Sequence, residues 1–220
     1  MADEALLRLL SWTSPSFPVG AFTYSHGLET AADEGRIADA ATLADWLDGL
    51  LRHGAARNDG ILAAAAWQAR EAVALASLND LALALCPSRE RHLESAGQGK
   101  AFAAAIRAAW PEAVPAWPAS GDLAYPVAYG SACGRAGIPL GAALEALAHG
   151  FVANLVSAAI RLGVVGQTGG LRVLAGTVPA VREIAAFAAT ATLDDLGGAA
   201  QQSDVAALRH ETLYSRLFRS

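Results

Sequence analysis

A histidine and a glutamate at helical spacing are the residues of this chain whose types and positions could do chemistry. His26 and Glu29 lie three positions apart, which places both side chains on one face of a helix. An imidazole beside a carboxylate could relay a proton or supply two ligands to a metal ion. The other histidines are scattered, and the sequence contains no HxxxH or HExxH pair. Two ligands do not complete a site, so we predict no metal centre and keep only His26 as a candidate ligand.

Two further segments resemble catalytic motifs without completing them. The run Gly97–Lys100 approaches a P-loop, but Glu94 stands where the motif needs glycine and Ala101 where it needs serine or threonine. We interpret its two glycines as a place where helices cross closely. The run Gly130–Gly134 lacks the spacing of a hydrolase GxSxG turn. We expect Cys133 within it to be a small buried residue rather than a nucleophile, and we predict no catalytic residues.

The composition favours helices and a surface that associates with other proteins. Hydrophobic residues make up 54% of the 220 residues and charged residues 17%, whereas typical domains carry about 25% charged residues. Alanine is the commonest residue, and it has the highest helix propensity. A chain with so little charge often covers apolar surface with a partner.

Charge and cysteine usage limit the possible environments and partners. The net charge of −5 argues against a nucleic-acid or anionic membrane partner. Two distant cysteines without CxxC spacing suit a reducing compartment, so we expect a cytoplasmic protein. The most apolar stretch, Leu140 to Val165, is interrupted by polar and charged residues. We therefore interpret it as a buried helix rather than a membrane span, and we expect its His149 to be a satisfied core histidine.

Helical periodicity dominates the pattern, and strand signals are nearly absent. One apolar stripe follows the spacing of a single helix face: Leu43, Trp46, Leu47, Leu50 and Leu51. We predict Thr42 as the N-cap of this helix, with Asp45 three positions later. The pair Asn58–Asp59 is predicted to cap the next helix, which should continue to Val73.

The remaining boundaries complete a bundle. Ser88 should begin a helix that ends near Trp110, and the proline-rich run from Pro111 to Pro126 is the best candidate for a domain boundary. Both sides of this run have the same composition, so we predict one domain over residues 1–220. The last helix is predicted from Asp204 to Phe218. The expected fold is all-α, a single-domain bundle of roughly eight to ten helices.

Three segments differ from ordinary helical sequence. The first, SPSFPVGAFTYSHGLE over residues 14–29, contains two prolines that prevent helix and a glycine that permits a turn. The second is RLGVVGQTGG over residues 161–170, and the third is RHETLYSRLFRS over residues 209–220. The third combines arginine and tyrosine, which are enriched at binding hot spots, at a chain end that would fray unless something covered it.

Together these segments resemble the urease accessory protein F family, UreF. The matching patterns are SPxFPVGAFxYSxGLE at 14–29, RLGxxGQ at 161–167 and RHExxYSRLFRS at 209–220. Between them, SRE and QGxAF at 88–102 and the DWL run that begins at Asp45 also follow the family's order. One departure is Tyr125-Pro126, where the family often has a histidine before the proline.

The resemblance implies a function that the composition could not. Proteins of this family help to build the two-nickel site of urease, and they are all-α and dimerise. They bridge accessory protein D, also called H, to a GTPase, accessory protein G, and the complex acts on the urease apoprotein. GTP hydrolysis by G accompanies nickel delivery. We therefore expect a chaperone-like homodimer with no cofactor of its own and with nickel present only transiently in the complex.

The resemblance also suggests where partners bind. The GTPase side is predicted at the first segment: Phe17, Pro18, Gly20, Phe22, Tyr24, Ser25, His26 and Glu29. The D/H side is predicted at the chain end: His210, Glu211, Tyr214, Ser215, Arg216, Leu217, Phe218 and Arg219. A backbone or interface role is predicted in the second segment: Arg161, Gly166 and Gln167.

Three alternatives remain at this point. The chain could be a nickel-binding carrier or conduit, although it has no ligand-rich tract. It could be a free-standing enzyme built on His26 and Glu29. Gln167 could position water for GTP hydrolysis in the partner. For the chain end, docking of a final helix on its own core is the structural alternative to partner binding.

Overall fold

The computed structural model describes residues 2–117 and 121–220, and in this part of the chain all regular structure is helical. The α-helices are α1 (Ala2–Trp12), α2 (Leu28–Asp33), α3 (Ala40–His53), α4 (Ala55–Gln68), α5 (Ala72–Ala84), α6 (Arg89–Ala109), α7 (Tyr125–Arg135), α8 (Leu140–Arg161), α9 (Gln167–Gly176), α10 (Val178–Thr190) and α11 (Gln201–His210). Short 3-10 turns cover Ala21–Thr23, Pro111–Ala113 and Leu193–Asp195. The all-α class is confirmed.

The alanine-rich helix α4 lies at the centre of the bundle. It packs against α3, α5, α7, α8 and α10. Its small side chains are buried on several sides, with Ala63, Ala64 and Ala66 almost inaccessible. Since the alanine side chain is a single methyl group, neighbouring helices can approach α4 closely. The high alanine content of the chain thus accounts for this close packing.

The local signals identify several helices correctly but misplace some of their ends. The predicted stripe of α3 is buried apart from the half-buried Trp46, and Ser88 caps α6 as predicted. The predicted N-cap Thr42 is wrong, because Asp39 caps α3. The Asp39 carboxylate accepts a hydrogen bond from the amide of Thr42, and the Thr42 hydroxyl accepts one from the amide of Asp39, which completes a capping box. The predicted cap Asn58–Asp59 is also wrong, because α4 already begins after Gly54 and ends before Val73.

The proline-rich connector lies against the core rather than apart from it. Residues 118–120 fall outside the described part of the chain. On either side of them, Trp117 and Leu123 are buried in one apolar cluster with Phe102 and Tyr129. The Trp117 indole also donates a hydrogen bond of 2.8 Å to Ser131. The helices before and after the connector therefore share a core.

Helix α8 is apolar, and half of its most apolar window is buried inside the fold. By length and hydropathy alone it could cross a membrane, as could α9 and α10 if that pair, bent by 41°, formed one span. Core helices pass the same test, so the match is weak evidence of a span, and α8 packs against α4, α9 and α10. The core position predicted for His149 is wrong, because that side chain is exposed on α8.

The chain end departs most from the sequence-based expectation. Helix α11 ends at His210 instead of continuing to Phe218. Residues 211–220, here called the tail, leave the helix and fold back across residues 14–29, here called the elbow. Beyond the helix, the amides of Leu217, Phe218 and Arg219 donate to Glu29 and to the carbonyl of Thr23 rather than to the preceding turn.

Candidate protein-binding site

The elbow and the tail are joined by main-chain hydrogen bonds. The amide of Arg219 donates to the carbonyl of Thr23 at 2.8 Å, and the amide of Ser25 donates to the carbonyl of Ser220 at 2.9 Å. The Ser25 hydroxyl donates to the same carbonyl of Ser220. The two segments that the sequence assigned to different partners therefore form one continuous part of the molecule.

Glu29, near the start of α2, accepts three hydrogen bonds that hold the tail. Its carboxylate binds the amides of Leu217 at 2.6 Å and Phe218 at 3.0 Å, and it accepts from Nε2 of His210 at 2.9 Å. The side chain is buried, so these bonds replace water as partners of the charge. Glu29 thus links the start of the chain to its last residues.

A second buried carboxylate, Glu94 on α6, contacts both the elbow and the tail at the place where they meet, here called the junction. Its side chain is only 2% exposed and forms an ion pair with Arg91. It also accepts from the Ser220 hydroxyl at 2.8 Å and from Nε2 of Gln98 at 3.1 Å, and it lies 2.8 Å from Nε2 of His26. Burial by itself would raise the pKa of this carboxyl, but Arg91 and the other donors outweigh it and lower the pKa to about 2.

His26 lies where the elbow enters α2, in a backbone conformation that is unusual for histidine. Its φ is 55° and that of Gly27 is 76°, so two successive residues adopt the left-handed region. Burial and the neighbouring Arg91 lower the pKa of the imidazole. The ring packs edge-on against Phe151 at 4.7 Å. A strained residue held by a buried ion pair is typical of a functional position.

Arg161, at the end of α8, ties the elbow and the tail together from outside. Its guanidinium lies 3.6 Å from the ring centre of Phe22 and 4.1 Å from that of Phe218. It also donates a hydrogen bond to the carbonyl of Phe22. Guanidinium groups stack well on aromatic faces, so this contact stabilises the docked tail.

The predicted binding residues fall into a buried and an exposed group. The buried group consists of Phe17, Tyr24, Ser25, His26, Glu29, His210 and Phe218. The exposed group consists of Pro18, Gly20, Phe22, Glu211, Tyr214, Ser215, Arg216, Leu217 and Arg219. Only the exposed group can touch a partner in this conformation, whereas the buried group gives the surface its shape. Partner binding by either group stays a prediction.

Gly166 and Gln167 lie apart from this surface. Both are exposed at the start of α9, and within the described residues no hydrogen bond links them to the elbow or the tail. Of the three residues predicted in the second segment, only Arg161 contacts the elbow and the tail.

Sequence reasoning missed the charged face of α6. Glu90, Arg91 and Glu94 hold the tail and the elbow, yet Glu90 was noted only within a family pattern and Glu94 only as a departure from a P-loop. A usable signal existed, since these charges repeat at helical spacing in a chain with few charges. What could not be seen was that this face points inward.

A cavity of about 530 Å³ lies beside the elbow and α6. Its wall includes Asp59 on α4, Cys86, and the Arg91–Glu94 pair on α6. Asp59 is half-buried and forms no hydrogen bond among the described residues. Burial raises the pKa of Asp59 to about 6, although Arg91 opposes this rise. An unpaired carboxylate facing a cavity is therefore available for a positively charged ligand.

Replacing Asp59 by asparagine is expected to stabilise the protein at neutral pH by about 2 kcal/mol. The carboxyl has a higher pKa in the folded chain than its ordinary 3.8, so the folded state of the wild type loses stability as pH rises from about 4 to about 6. The variant has no such charge to bury. Urea unfolding at pH 7.5 and pH 4 measures the difference in the free energy of unfolding between the variant and the wild type, and this difference should vanish at about pH 4. Asp45→Asn, at an exposed position of α3, is the control and should change little. A less stable Asp59→Asn variant at neutral pH would contradict the prediction.

The structure also places the groups that the sequence offered for metal binding or catalysis. In residues 2–117 and 121–220, no group of three or more His, Cys, Asp or Glu side chains could hold a metal ion. Cys133 is fully buried as expected, and burial raises the pKa of its thiol to about 12. His26 and Glu29 do not face each other across a substrate space, because each is bound to a different partner at the junction.

Comparison with known proteins finds similar chains over nearly the whole length. A family model described as UreF matches residues 37–178. The urease accessory protein UreF of Mesorhizobium japonicum is 52% identical over 218 residues, covering 98% of this chain and 96% of the relative. The protein of the same name from Methylorubrum populi is 50% identical over 220 residues, covering 97% of this chain and 98% of the relative. The elbow and the tail lie outside the family-model match.

Proposed function

This chain belongs to the UreF family, and on that premise we propose that it acts in urease maturation as a non-catalytic scaffold. It binds accessory protein D/H and the GTPase G, and it couples GTP hydrolysis by G to the delivery of nickel into apo-urease. Nickel is cargo here and not a resident cofactor. The scaffold works as a homodimer in the cytoplasm.

The observation that carries this proposal is the union of the elbow and the tail. Exposed aromatic, apolar and cationic side chains project from a segment whose backbone is held by buried carboxylates. Tyr214 is fully exposed and Leu217 is 57% exposed, so neither is used by the fold itself. A rigid segment that displays tyrosine and arginine has the composition of a binding hot spot.

The exposed tail residues are assigned to the D/H partner and the exposed elbow residue Phe22 to the GTPase. Because Arg161 stacks between Phe22 and Phe218, the two binding areas are mechanically connected. Binding of D/H at the tail would therefore hold the elbow in the form that receives G. The same connection explains how one small protein could coordinate two partners.

The double replacement Tyr214→Ala and Leu217→Ala is expected to reduce co-purification with co-expressed accessory protein D/H by at least about tenfold. Both side chains are exposed, so the fold should be retained, as circular dichroism and the unfolding midpoint would verify. Leu171→Ala, at a similarly exposed leucine on α9, is the matched control and should co-purify normally. Undiminished recovery of the complex with the double variant would refute the assignment of the tail.

A nickel conduit is the second candidate, and the cavity favours it. Its wall carries the unpaired carboxylate of Asp59, and Cys86 and Glu94 lie nearby. In the assembled complex, Asp59→Asn should slow nickel incorporation into urease while leaving complex formation unchanged. Equilibrium dialysis of the isolated protein against nickel separates this role from that of a carrier, because a carrier binds the ion without partners.

A further inference from the structure

His210 is completely buried at the end of α11 and lies between two carboxylates. Its Nε2 is 2.9 Å from an oxygen of Glu29 on α2, and its Nδ1 is 2.6 Å from an oxygen of Glu90 on α6. The ring therefore bridges two helices that α11 contacts on different sides.

The hydrogen-bonding capacities of these groups determine the state of the ring. A carboxylate only accepts hydrogen bonds, and a neutral imidazole carries only one N–H. Glu29 also accepts from the amides of Leu217 and Phe218, and Glu90 also accepts from Arg216 at 2.7 Å. Both carboxylates thus already accept hydrogen bonds from the tail. Donation from His210 to both of them requires an N–H on each ring nitrogen.

We propose that His210 is a positioning residue that holds the tail in its docked form. Its ring joins Glu29 to Glu90, and Glu29 in that position receives the tail amides. This inference rests on the proposed function, since the docked tail is the surface assigned to the D/H partner. It also changes the sequence-based prediction, because His210 acts through Glu29 and does not touch a partner.

Charged groups from several elements of the fold surround the ring. Glu29 faces it from α2, Glu90 from α6, and Arg216 of the tail pairs with Glu90. Arg161 on α8 acts electrostatically on Glu29. On α11 itself, Arg209 is paired with Glu34 at 2.9 Å.

Replacing His210 by leucine would remove both ring nitrogens and leave Glu29 and Glu90 without the side chain that joins them. The docked tail should therefore loosen, because Glu29 would no longer be held where it receives the tail amides.

Amide hydrogen exchange in the full chain tests the inference without any partner. The amides of Leu217 and Phe218 donate directly to Glu29, so their protection reports docking. After correction for the intrinsic exchange rate, the protection of both amides should be about tenfold lower in His210→Leu than in the wild type at the same pH, while amides inside α4 should keep their protection.

Two comparisons make the outcome decisive. His92→Leu replaces a histidine of α6 that is paired with Asp122 and not with the tail, so it should keep the wild-type protection. Unchanged protection of the Leu217 and Phe218 amides in His210→Leu would overturn the inference, and so would an equal loss of protection inside α4. If only the tail amides lose protection while the Tyr214→Ala and Leu217→Ala variant still co-purifies with D/H, the assignment of the surface fails and the role of His210 stands.

Discussion

Replacing Glu94 by glutamine is expected to lower the free energy of unfolding at neutral pH by about 3 kcal/mol. The carboxylate is almost inaccessible and is the ion-pair partner of Arg91, which is itself buried. Glutamine has nearly the same shape but no charge, so the variant would leave the Arg91 guanidinium buried without compensation. It would also weaken the hydrogen bond from the Ser220 hydroxyl, which should loosen the end of the tail.

The effect should depend on pH in a defined direction. The pKa of Glu94 is lowered from its ordinary 4.5 to about 2 in the folded chain, so the folded state binds this proton less readily than the unfolded state. The carboxylate therefore contributes stability above about pH 4.5, and this contribution is lost as pH falls towards about 2. Urea unfolding at several pH values measures it, and the difference between wild type and variant should shrink in acid.

Two further variants separate charge from general perturbation. Glu183→Gln removes an exposed partner of Arg52 on the surface and should cost well under about 1 kcal/mol. Replacing Arg91 by methionine together with Glu94 by leucine removes both buried charges, and this double variant should be more stable than Glu94→Gln alone. A Glu94→Gln protein as stable as the wild type at neutral pH would show that the pair does not support the junction.

Replacing Gly130 by alanine is expected to destabilise the fold by about 3 kcal/mol or more. A Cβ atom at this position of α7 would lie 2.2 Å from the carbonyl oxygen and 2.7 Å from the Cα of Ala63 on α4. Both are main-chain atoms, so the two helices would have to move apart. One turn later, a Cβ atom at Gly134 would lie 2.2 Å from the carbonyl oxygen of Trp67, which shows that the close approach extends along the helix.

A glycine without such a neighbour provides the control for helix propensity. Gly49 lies inside α3, and a Cβ atom built there has nothing within 4 Å. Gly49→Ala should therefore stabilise the protein by about 0.5–1 kcal/mol, since alanine is the better helix former. Thermal or urea unfolding of both variants gives the comparison. If Gly130→Ala also stabilised the protein, α4 and α7 would not be in main-chain contact.

The sequence alone predicts those features of this protein that depend on residues close together along the chain. The apolar stripe of α3 repeats within three turns, and Ser88 caps α6, which begins at the next residue. Periodicity and capping are therefore sufficient to predict these two helices. Alanine content likewise predicts close helix packing. The family resemblance could also be found at this level, because its motifs are continuous stretches.

Boundaries were less predictable where two local signals competed. Thr42 can cap a helix, but Asp39 precedes it and offers a better acceptor, so α3 begins earlier. The apolar neighbours of His149 suggested a core position, yet the packing direction of α8 leaves this ring on the outside. A helix shows its periodicity in sequence, but which of its faces is covered depends on the elements around it.

The tail and its junction were decided only by the tertiary structure. Local propensity favours helix from Asp204 to Phe218, but the helix ends at His210, and carboxylates of α2 and α6, far away in sequence, bind His210 and the tail beyond it. The sequence alone determines an all-helical member of a recognisable family with candidate residues near both ends. Only the fold brings those ends together, because buried charges must find partners: Glu29 finds them in His210 and the tail, and Glu94 also binds Ser220.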